Sequence, residues 1–367
     1  MRKYLRRKTP KKPMRLFMLI LLDLGLIGIA LITFAYFHHV RPTEETPLGT
    51  TLSHTYRRSS ALPTFTPAPA NTPVPTAIPE KATEAEAVVS TETPMATIVP
   101  ELTPAPTPDP VGYFGSIHAD KFTTGEVISE KDRYISENVS ITVTKHKENG
   151  TIYHLADIYI RDISSFRTLF AEDKFGKGYS ESTYKADLRS DSILTISGDF
   201  YGLRNYGVIV RNGQPYRTMK SAICDWCVLY WDGTMECYRP GPVDIEAIME
   251  KGAYQSWYFG PMLLDENGQP MTTFNSNVEK SNPRCAIGYY EPGHYCFIVV
   301  EGRTEKSKGL SLAALSNLMY SLGCKVAYNL DGGETAQMVF DDRTQNVLLN
   351  NGRKCSDFVM ITEPTFE

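Results

Sequence analysis

The pattern of hydrophobic and polar positions divides the chain of 367 residues into three parts. An apolar run from Leu16 to Phe37 is interrupted only by Asp23. The next segment, residues 38–112, is rich in Pro and Thr and nearly free of aromatic residues. From residue 113 onward, short stretches of alternating apolar and polar residues recur. This period of two is typical of β-strands that bury one face.

The alternation in residues 113–367 predicts several strand pairs, joined by turns that contain glycine. The predicted pairs are 140–144 with 152–160, 228–231 with 235–238, and 285–289 with 295–300. Ser311 as a cap, an apolar face with spacings of three and four residues, and Gly323 at the end predict a helix over 311–323, followed by a buried strand over 326–330. Two further helices are predicted over 164–171 and 243–251. Many strands and few helices predict an α+β fold, a single globular domain with a mixed, largely antiparallel sheet core.

The charges that flank the apolar run indicate that it crosses a membrane, and in which orientation. Residues 1–15 contain eight Lys or Arg and no acid, so they form a basic tail directly before the run. A helix needs about 20 apolar residues to cross a bilayer, and a basic flank stays in the cytoplasm. We therefore predict a transmembrane helix over residues 16–37 of a single-pass cell-membrane protein, with the C-terminal domain outside the cell. A cleaved signal peptide is the alternative, although its apolar core would span only about 7–15 residues.

Composition then distinguishes the remaining parts. Fourteen of the 24 prolines lie between Pro42 and Pro110. A segment of this kind buries too little apolar surface to fold, so residues 38–112 are predicted to be a disordered linker or stalk. Its Thr-Pro repeats resemble the stalks with which surface proteins of Gram-positive bacteria span the cell wall. The alternative is a disordered tether without a spanning role. Residues 1–41 sum to a charge of +8 and the rest of the chain to −12, which excludes a basic surface for nucleic acid.

Four polar clusters lie at the ends of predicted strands, where side chains are held rigidly and glycine admits a ligand close to the backbone. They are Ser197-Gly198-Asp199-Phe200-Tyr201, Asn282-Pro283-Arg284, Glu301-Gly302-Arg303 and Asn329-Leu330-Asp331-Gly332-Gly333. Carboxylates supply acids, bases and nucleophiles, and arginine binds phosphate through two parallel hydrogen bonds. Taken singly, each cluster is also ordinary turn chemistry.

Taken together, the four clusters resemble the motifs of the phosphodiester glycosidase family, which is related to N-acetylglucosamine-1-phosphodiester α-N-acetylglucosaminidase. Its bacterial members are often labelled exopolysaccharide biosynthesis proteins. The resemblance covers roughly residues 130–362 and is sharpest over 309–339, where Asn329 to Gly333, Thr335, Ala336 and Met338 match the family pattern. Ser197, Cys285 and Glu301 depart from it, standing where the family has Asn, Thr and Asp.

The resemblance implies a hydrolase that cleaves a sugar-1-phosphodiester between the anomeric carbon and the phosphate, in cell-surface polysaccharide or wall polymer. It implies a carboxylate pair, Asp199 and Asp331, acting as base or nucleophile, and Arg284 and Arg303 holding the phosphate. The full set of catalytic residues that the resemblance implies is Asp199, Asp331, Arg303 and Glu301. The residues implied in substrate binding are Arg284, Asn329, Gly332, Gly333, Thr335, Gly198 and Tyr201. Lys308 and His294 are expected to be surface residues.

Several alternatives remain at this point. The domain could be a non-catalytic glycan-binding module on a stalk, or a structural surface protein; the intact charges favour the hydrolase. No cofactor is predicted, the alternative being a Ca²⁺ or Mg²⁺ ion held by carboxylates near Asp331. All seven cysteines lie in the folded part. Buried free thiols are favoured over disulfides, and over a redox or zinc site at Cys224 and Cys227.

Overall fold

A computed structural model describes residues 13–36, 43–44 and 110–364. Most of the predicted basic tail and nearly all of the predicted linker lie outside these residues. Two linker residues, Thr43 and Glu44, form a short strand that pairs with Gly176 and Lys177.

The apolar run near the N-terminus forms a helix, α1 (Pro13–Ala35). Its segment Phe17–Ala35 has a mean hydropathy of 2.5, and no part of that segment is buried. By length and composition this helix could cross a membrane, and a signal sequence would share both properties.

Strands dominate the rest of the described chain. The helices after α1 are α2 (Thr183–Ser190), α3 (Ile245–Glu250) and α4 (Leu312–Ser321). The strands are β1 (Thr43–Glu44), β2 (Ile128–Ser129), β3 (Arg133–Ile135), β4 (Val139–Glu148), β5 (Thr151–Ile160), β6 (Phe166–Phe170), β7 (Gly176–Lys177), β8 (Leu194–Ser197), β9 (Ile209–Arg211), β10 (Gln214–Arg217), β11 (Ser221–Ala222), β12 (Trp226–Tyr230), β13 (Met235–Tyr238), β14 (Gly241–Pro242), β15 (Ala253–Trp257), β16 (Arg284–Glu291), β17 (His294–Val300), β18 (Val326–Leu330), β19 (Met338–Phe340), β20 (Arg343–Thr344) and β21 (Asp357–Ile361).

Two large antiparallel sheets organise these strands. The first has seven strands in the order β18-β16-β17-β5-β4-β3-β2, and the second has five in the order β20-β19-β8-β21-β6. A three-stranded sheet, β13-β12-β15, packs into the same core. The α+β fold is confirmed, with helices few and short beside the sheets.

Alternation along the strands places two different cores on the two faces of the seven-stranded sheet. Ile158 and Phe297 point to one face, where they pack with Ile196 and Val359 of the five-stranded sheet. The opposite face, which includes Ile298, packs against α4. Each fully buried side chain of this size contributes roughly 1.5–3 kcal/mol of transfer free energy, so both cores hold the sheet firmly.

Most of the predicted elements are confirmed, including the three strand pairs, the strand at 326–330 and the helices near 243–251 and 311–323. The predicted helix over 164–171 is wrong, because most of this segment forms β6, whose Phe166, Thr168 and Phe170 point inward in alternation. Pairing with β21, almost 200 residues later, decides this structure. Helix α2 was not predicted; Ser182 caps it by accepting the backbone N–H of Lys185.

The antiparallel order brings the predicted clusters to one edge. Strand β16 begins at Arg284, opposite Val300 at the end of β17, and its next residue lies opposite Leu330 at the end of β18. The five-stranded sheet meets the same edge, because the backbone N–H of Asp331 donates to the carbonyl oxygen of Gly198 at 2.9 Å.

All seven cysteines are free thiols, and five are buried. Two of them, Cys296 and Cys324, lie with their sulfur atoms 3.7 Å apart between the seven-stranded sheet and α4. Gly288 makes room for this contact: a Cβ atom there would lie 2.7 Å from both sulfurs and from the Cε atom of Met319.

The packing around Gly288 predicts that Gly288→Ala destabilises the domain by about 1–3 kcal/mol, since the added methyl group overfills a closed core. Urea denaturation measures this directly, because all three tryptophans, Trp226, Trp231 and Trp257, lie in the folded part and report its unfolding by fluorescence. Gly241→Ala is the matched control, since a Cβ atom there meets nothing within 4 Å. Its free energy of unfolding should stay within about 0.5 kcal/mol of wild type; equal effects of the two variants would contradict the packing argument.

Candidate active site

A cavity of about 560 Å³ opens where the strand ends meet. Its lining combines charged side chains with glycines and aromatic rings. The lining residues are Phe200, Arg204, Phe259, Val278, Asn282, Pro283, Arg284, Arg303, Asn329, Leu330, Asp331, Gly332, Gly333, Glu334 and Arg353. Six of the eleven predicted site residues are among them: Arg284, Arg303, Asn329, Asp331, Gly332 and Gly333.

Asp331 is the predicted carboxylate that reaches this cavity. It follows β18 directly and is only 5% exposed. Burial raises its pKa to about 6, an effect that the positive charge of Arg353 opposes. The Nη2 atom of Arg353 lies 3.5 Å from its Oδ2 atom. Above about pH 6, Asp331 therefore carries a negative charge although its side chain is buried.

Arg284 begins β16 and is held by backbone oxygens rather than by a carboxylate. Its Nε atom donates to the carbonyl oxygen of Leu310 at 2.9 Å, and its Nη2 atom donates to those of Val278 and Lys280, both at 2.6 Å. Burial lowers its pKa to about 10, and the positive charge of Arg303 adds to this effect. The guanidinium stays charged, and its Nη1 atom has no hydrogen-bond partner among the described residues.

Arg303 supplies a second guanidinium beside Arg284. Its backbone has a left-handed φ of 56°, a conformation that few residues other than glycine, Asn and Asp adopt. Its Nε atom donates to the Oδ1 atom of Asn282 at 2.9 Å, and its Nη2 atom donates to the same oxygen. The amide of Asn282 thus orients the guanidinium without neutralising it.

The site contains two more arginines, Arg204 and Arg353, which the sequence analysis missed. Both lie against the ring of Phe200, with their Cζ atoms 5.9 and 5.7 Å from its centre. Arg204 also lies 5.2 Å from the ring centre of Phe259. Neither arginine stands in one of the four clusters, and an arginine outside a motif gives no local signal in a single sequence.

The chain around Asp331 provides polar atoms and close backbone approach. The Nδ2 atom of Asn329 donates to the carbonyl oxygen of Gly260 at 2.8 Å, whereas its Oδ1 atom is buried without a partner among the described residues. A Cβ atom on Gly332 would lie 2.7 Å from the carbonyl oxygen of Pro283, so the backbone there leaves no space for a side chain. Gly333 has a φ of 67°, which favours glycine.

Asp199 lies behind the cavity rather than in its lining. It is 1% exposed, and its Oδ2 atom accepts the backbone N–H of Tyr258 at 2.8 Å. Arg211 pairs with it at 3.7 Å and more closely with Asp357, whose Oδ1 atom accepts the backbone N–H of Asp199. Burial raises the pKa of both carboxyl groups, that of Asp357 to about 7, against the effect of Arg211. Two carboxylates and one arginine therefore form a closed polar cluster.

Glu301 also points away from the cavity. Its Oε1 atom lies 3.0 Å from the Nε2 atom of His154, 3.9 Å from the Nζ atom of Lys145, and accepts the backbone N–H of Val347 at 3.1 Å. Burial lowers the pKa of His154, so this buried pair favours a neutral imidazole. The carboxylate of Glu301 ties β17 to β4, β5 and the segment after β20.

The three remaining predicted residues support the site from outside its lining. The Oγ1 atom of Thr335 donates to the carbonyl oxygen of Gly332 at 2.7 Å. A Cβ atom on Gly198 would collide with the Oδ1 atom of Asp357, and Tyr201 is buried beside Phe170 and Phe175. Lys308 is exposed and lines a different cavity, while His294 is largely buried and lies 2.7 Å from Asp157.

Metal-binding side chains do not gather at this site. Within residues 13–36, 43–44 and 110–364, no group of three or more His, Cys, Asp or Glu side chains is placed to hold a metal ion.

Comparison with known proteins shows similarity in sequence to one family and to a bacterial protein. A sequence model of the phosphodiester glycosidase family matches residues 190–362. The SPbeta prophage-derived uncharacterized protein YomE of Bacillus subtilis (strain 168) is 30% identical over 182 residues, covering 47% of this chain and 28% of that protein. The chain thus spans less than a third of the length of this curated relative.

A solved structure has a similar fold. The catalytic domain of zebrafish N-acetylglucosamine-1-phosphodiester alpha-N-acetylglucosaminidase, auto-inhibited by its pro-peptide, matches with a TM-score of 0.50 at 17% identity, covering 66% of this chain and 86% of that chain. A hypothetical protein from Synechocystis matches with a TM-score of 0.48 at 12% identity, covering 65% and 64%.

The buried cluster of Arg211, Asp199 and Asp357 gives a pH-dependent prediction. The raised pKa of Asp357 means that the folded protein keeps a proton that the unfolded chain releases near pH 3.8. This group therefore stabilises the fold most below about pH 4, and its contribution falls as the pH rises to about 7. Arg211→Met removes the only cation paired with both carboxylates among the described residues. We expect a loss of about 3–5 kcal/mol at pH 8 and a smaller loss at pH 5, where protonation relieves the buried charge.

Urea denaturation of both proteins at the two pH values measures this difference. Arg239→Met is the control, because Arg239 forms an exposed ion pair with Glu266 and should cost no more than about 1 kcal/mol at either pH. An equal loss at pH 5 and pH 8 for Arg211→Met would show that the cluster does not titrate as described.

Proposed function

We propose that this protein hydrolyses the bond between a sugar's anomeric carbon and a phosphodiester, because a sequence model of the phosphodiester glycosidase family matches residues 190–362. One observation carries the proposal: the carboxylate of Asp331 shares a cavity with Arg284 and Arg303, which present nitrogen atoms to an anion. A volume of about 560 Å³ suits one sugar with its phosphate, since small-molecule sites typically measure about 300–1,000 Å³.

The two arginines next to β16 would hold the phosphate. The Nη1 atom of Arg284 has no partner in the part of the chain that the structure describes, and Arg303 is oriented by a neutral amide. Hydrogen bonds between a guanidinium and a phosphate are charge-assisted and strong. As the bond to the anomeric carbon breaks, negative charge grows on the phosphate, and donors already fixed in place stabilise it without reorganisation.

Asp331 would supply the carboxylate that acts at the anomeric carbon, either as the base for a water molecule or as the nucleophile. Phosphate leaves more readily than an alcohol, so strong acid assistance matters less here than in ordinary glycosidases. Asn329, with its unpartnered Oδ1 atom, and the backbone at Gly332 and Gly333 would bind sugar hydroxyl groups. Asp199, Glu301, Thr335, Gly198 and Tyr201 would position these groups from behind.

The cellular setting follows from the N-terminal segment. Helix α1 has the length and composition of a membrane span, and eight basic residues lie within residues 1–15. We propose a single-pass anchor with its N-terminus in the cytoplasm, and a Pro/Thr-rich linker that carries the domain outside the cell. The substrate would then be a cell-surface polysaccharide or wall polymer that contains glycosyl phosphate links.

The test is release of free sugar by the purified protein. A suitable first substrate is the methyl phosphodiester of N-acetylglucosamine-1-phosphate, since the zebrafish enzyme is named for such a sugar. Asp331→Asn keeps the size of the side chain and removes its charge, so we expect kcat/KM to fall by about 10²–10⁴-fold. In the wild type, kcat/KM should decline below about pH 6, because the carboxylate must be ionised to act.

Asp342→Asn is the matched control, since Asp342 is exposed and has a left-handed φ of 57°, which Asn also adopts. It should retain wild-type turnover. Full activity of Asp331→Asn would remove Asp331 from the mechanism. Measurable binding of the substrate by the wild type without any turnover would indicate a glycan-binding module instead.

A further inference from the structure

The cavity contains more positive charge than one phosphodiester requires. Four guanidinium groups line it, against the two carboxylates of Asp331 and Glu334. A bound phosphodiester carries a single negative charge, which leaves one positive charge unmatched. This excess stands out in a domain that is otherwise acidic, since residues 113–367 contain 26 Lys or Arg and 33 Asp or Glu.

The four arginines fall into two pairs. Arg284 and Arg303 lie close enough for the charge of one to lower the pKa of the other. Arg204 and Arg353 instead contact the ring of Phe200, and both of their charges oppose the raised pKa of Asp331. The second pair is therefore grouped around Asp331.

The second pair also keeps most of its hydrogen-bonding capacity. Arg204 uses only its Nη1 atom, which donates to the carbonyl oxygen of Tyr258 at 3.5 Å and contacts the Sγ atom of Cys224 at 3.9 Å. Arg353 makes one long contact with Asp331, at 3.5 Å. The other guanidinium nitrogens of both residues have no partner among the described residues. Aromatic rings hold the two side chains in place, and their donors are left for a ligand.

A smaller cavity of about 210 Å³ continues the site on this side. It shares Phe200, Asp331 and Arg353 with the main cavity, and it adds Lys354 together with the hydroxyl-bearing residues Tyr179, Ser180 and Ser356. Arg284 and Arg303 do not line it. The main cavity therefore has an extension that starts at Asp331, where Arg353 is shared by both cavities and Lys354 is added. Arg204 lines the main cavity only, on the same side of Asp331 as Arg353.

We propose that the substrate carries a second anionic group on its glycosyl side, bound by Arg204, Arg353 and Lys354. This inference rests on the proposed function, because Asp331 acts at the anomeric carbon and so places the sugar between the two pairs of arginines. The substrate class is then an anionic glycosyl phosphate. The second anion is either the phosphodiester of the preceding unit in a polymer or a carboxylate on the sugar itself.

Three synthetic substrates test this inference with the full-length protein. The first is the methyl phosphodiester of N-acetylglucosamine-1-phosphate, whose sugar is neutral. The second adds a methyl phosphodiester at the 6-hydroxyl group, and the third replaces the 6-hydroxymethyl group by a carboxylate. We expect kcat/KM of the second or the third to exceed that of the first by about tenfold or more, as a charge-assisted contact provides. The preferred compound identifies the source of the anion.

A variant assigns this preference to the second pair of arginines. Arg204→Gln should lower the ratio of kcat/KM between the doubly and the singly charged substrates several-fold, while Arg353 and Lys354 keep part of the preference. Arg133→Gln is the control, because Arg133 lies on β3, four strands across the sheet from β16, and pairs with Glu130. It should keep the wild-type ratio. Equal kcat/KM for all three substrates, or an unchanged ratio in Arg204→Gln, would overturn the inference.

Binding by Asp331→Asn separates this inference from the proposed function. Calorimetry with this variant measures affinity for the same three compounds without any turnover. If the wild type releases sugar from none of them, the proposed hydrolysis fails. An affinity gain of about tenfold for a doubly charged compound would then still support the anion site, and the absence of any gain would overturn it.

Discussion

Arg211 lies buried between two carboxylates, Asp199 and Asp357, and the position of the edge that carries the candidate active site depends on this cluster. Asp357 begins β21 and accepts the backbone N–H of Asp199, just after the end of β8. The turn fixed in this way leaves the carbonyl oxygen of Gly198 to accept the backbone N–H of Asp331 at 2.9 Å. Through these contacts, the buried cluster at the end of β8 and the start of β21 positions Asp331, which follows β18 of the seven-stranded sheet.

Burial raises the pKa of both Asp199 and Asp331, yet the two carboxylates have different surroundings. The Oδ2 atom of Asp199 contacts Arg211 and accepts the backbone N–H of Tyr258, and the side chain is 1% exposed and outside the cavity lining, so a substrate does not reach it. Asp331 has a long contact with Arg353 and borders two cavities. Access to the cavity, and not the raised pKa alone, therefore makes Asp331 the candidate for the proposed reaction, since a perturbed pKa also marks carboxylates that only support the fold.

The part of the site that could be predicted from sequence is the part encoded locally. Asn329, Asp331, Gly332 and Gly333 share one strand end, and antiparallel pairing brings Arg284 to the same edge. The partner of Asp199 could not be predicted, because Asp357 lies 158 residues later along the chain. The predicted helix at 164–171 failed for a similar reason. Its apolar residues suit a strand equally well, and pairing with β21 decided between the two.

The missed arginines show how the charge of the domain and the charge of its site can differ in sign. Arg204 and Arg353 both contact the ring of Phe200, a residue of the first cluster. No spacing in the sequence indicates that these two arginines lie close together. An acidic surface repels polyanions beyond a Debye length of about 8–10 Å only weakly, whereas fixed arginines in a partly closed cavity act on an anion at contact distance. A charged substrate would therefore be selected by these arginines inside the cavity, and the net charge of the chain does not indicate this selection.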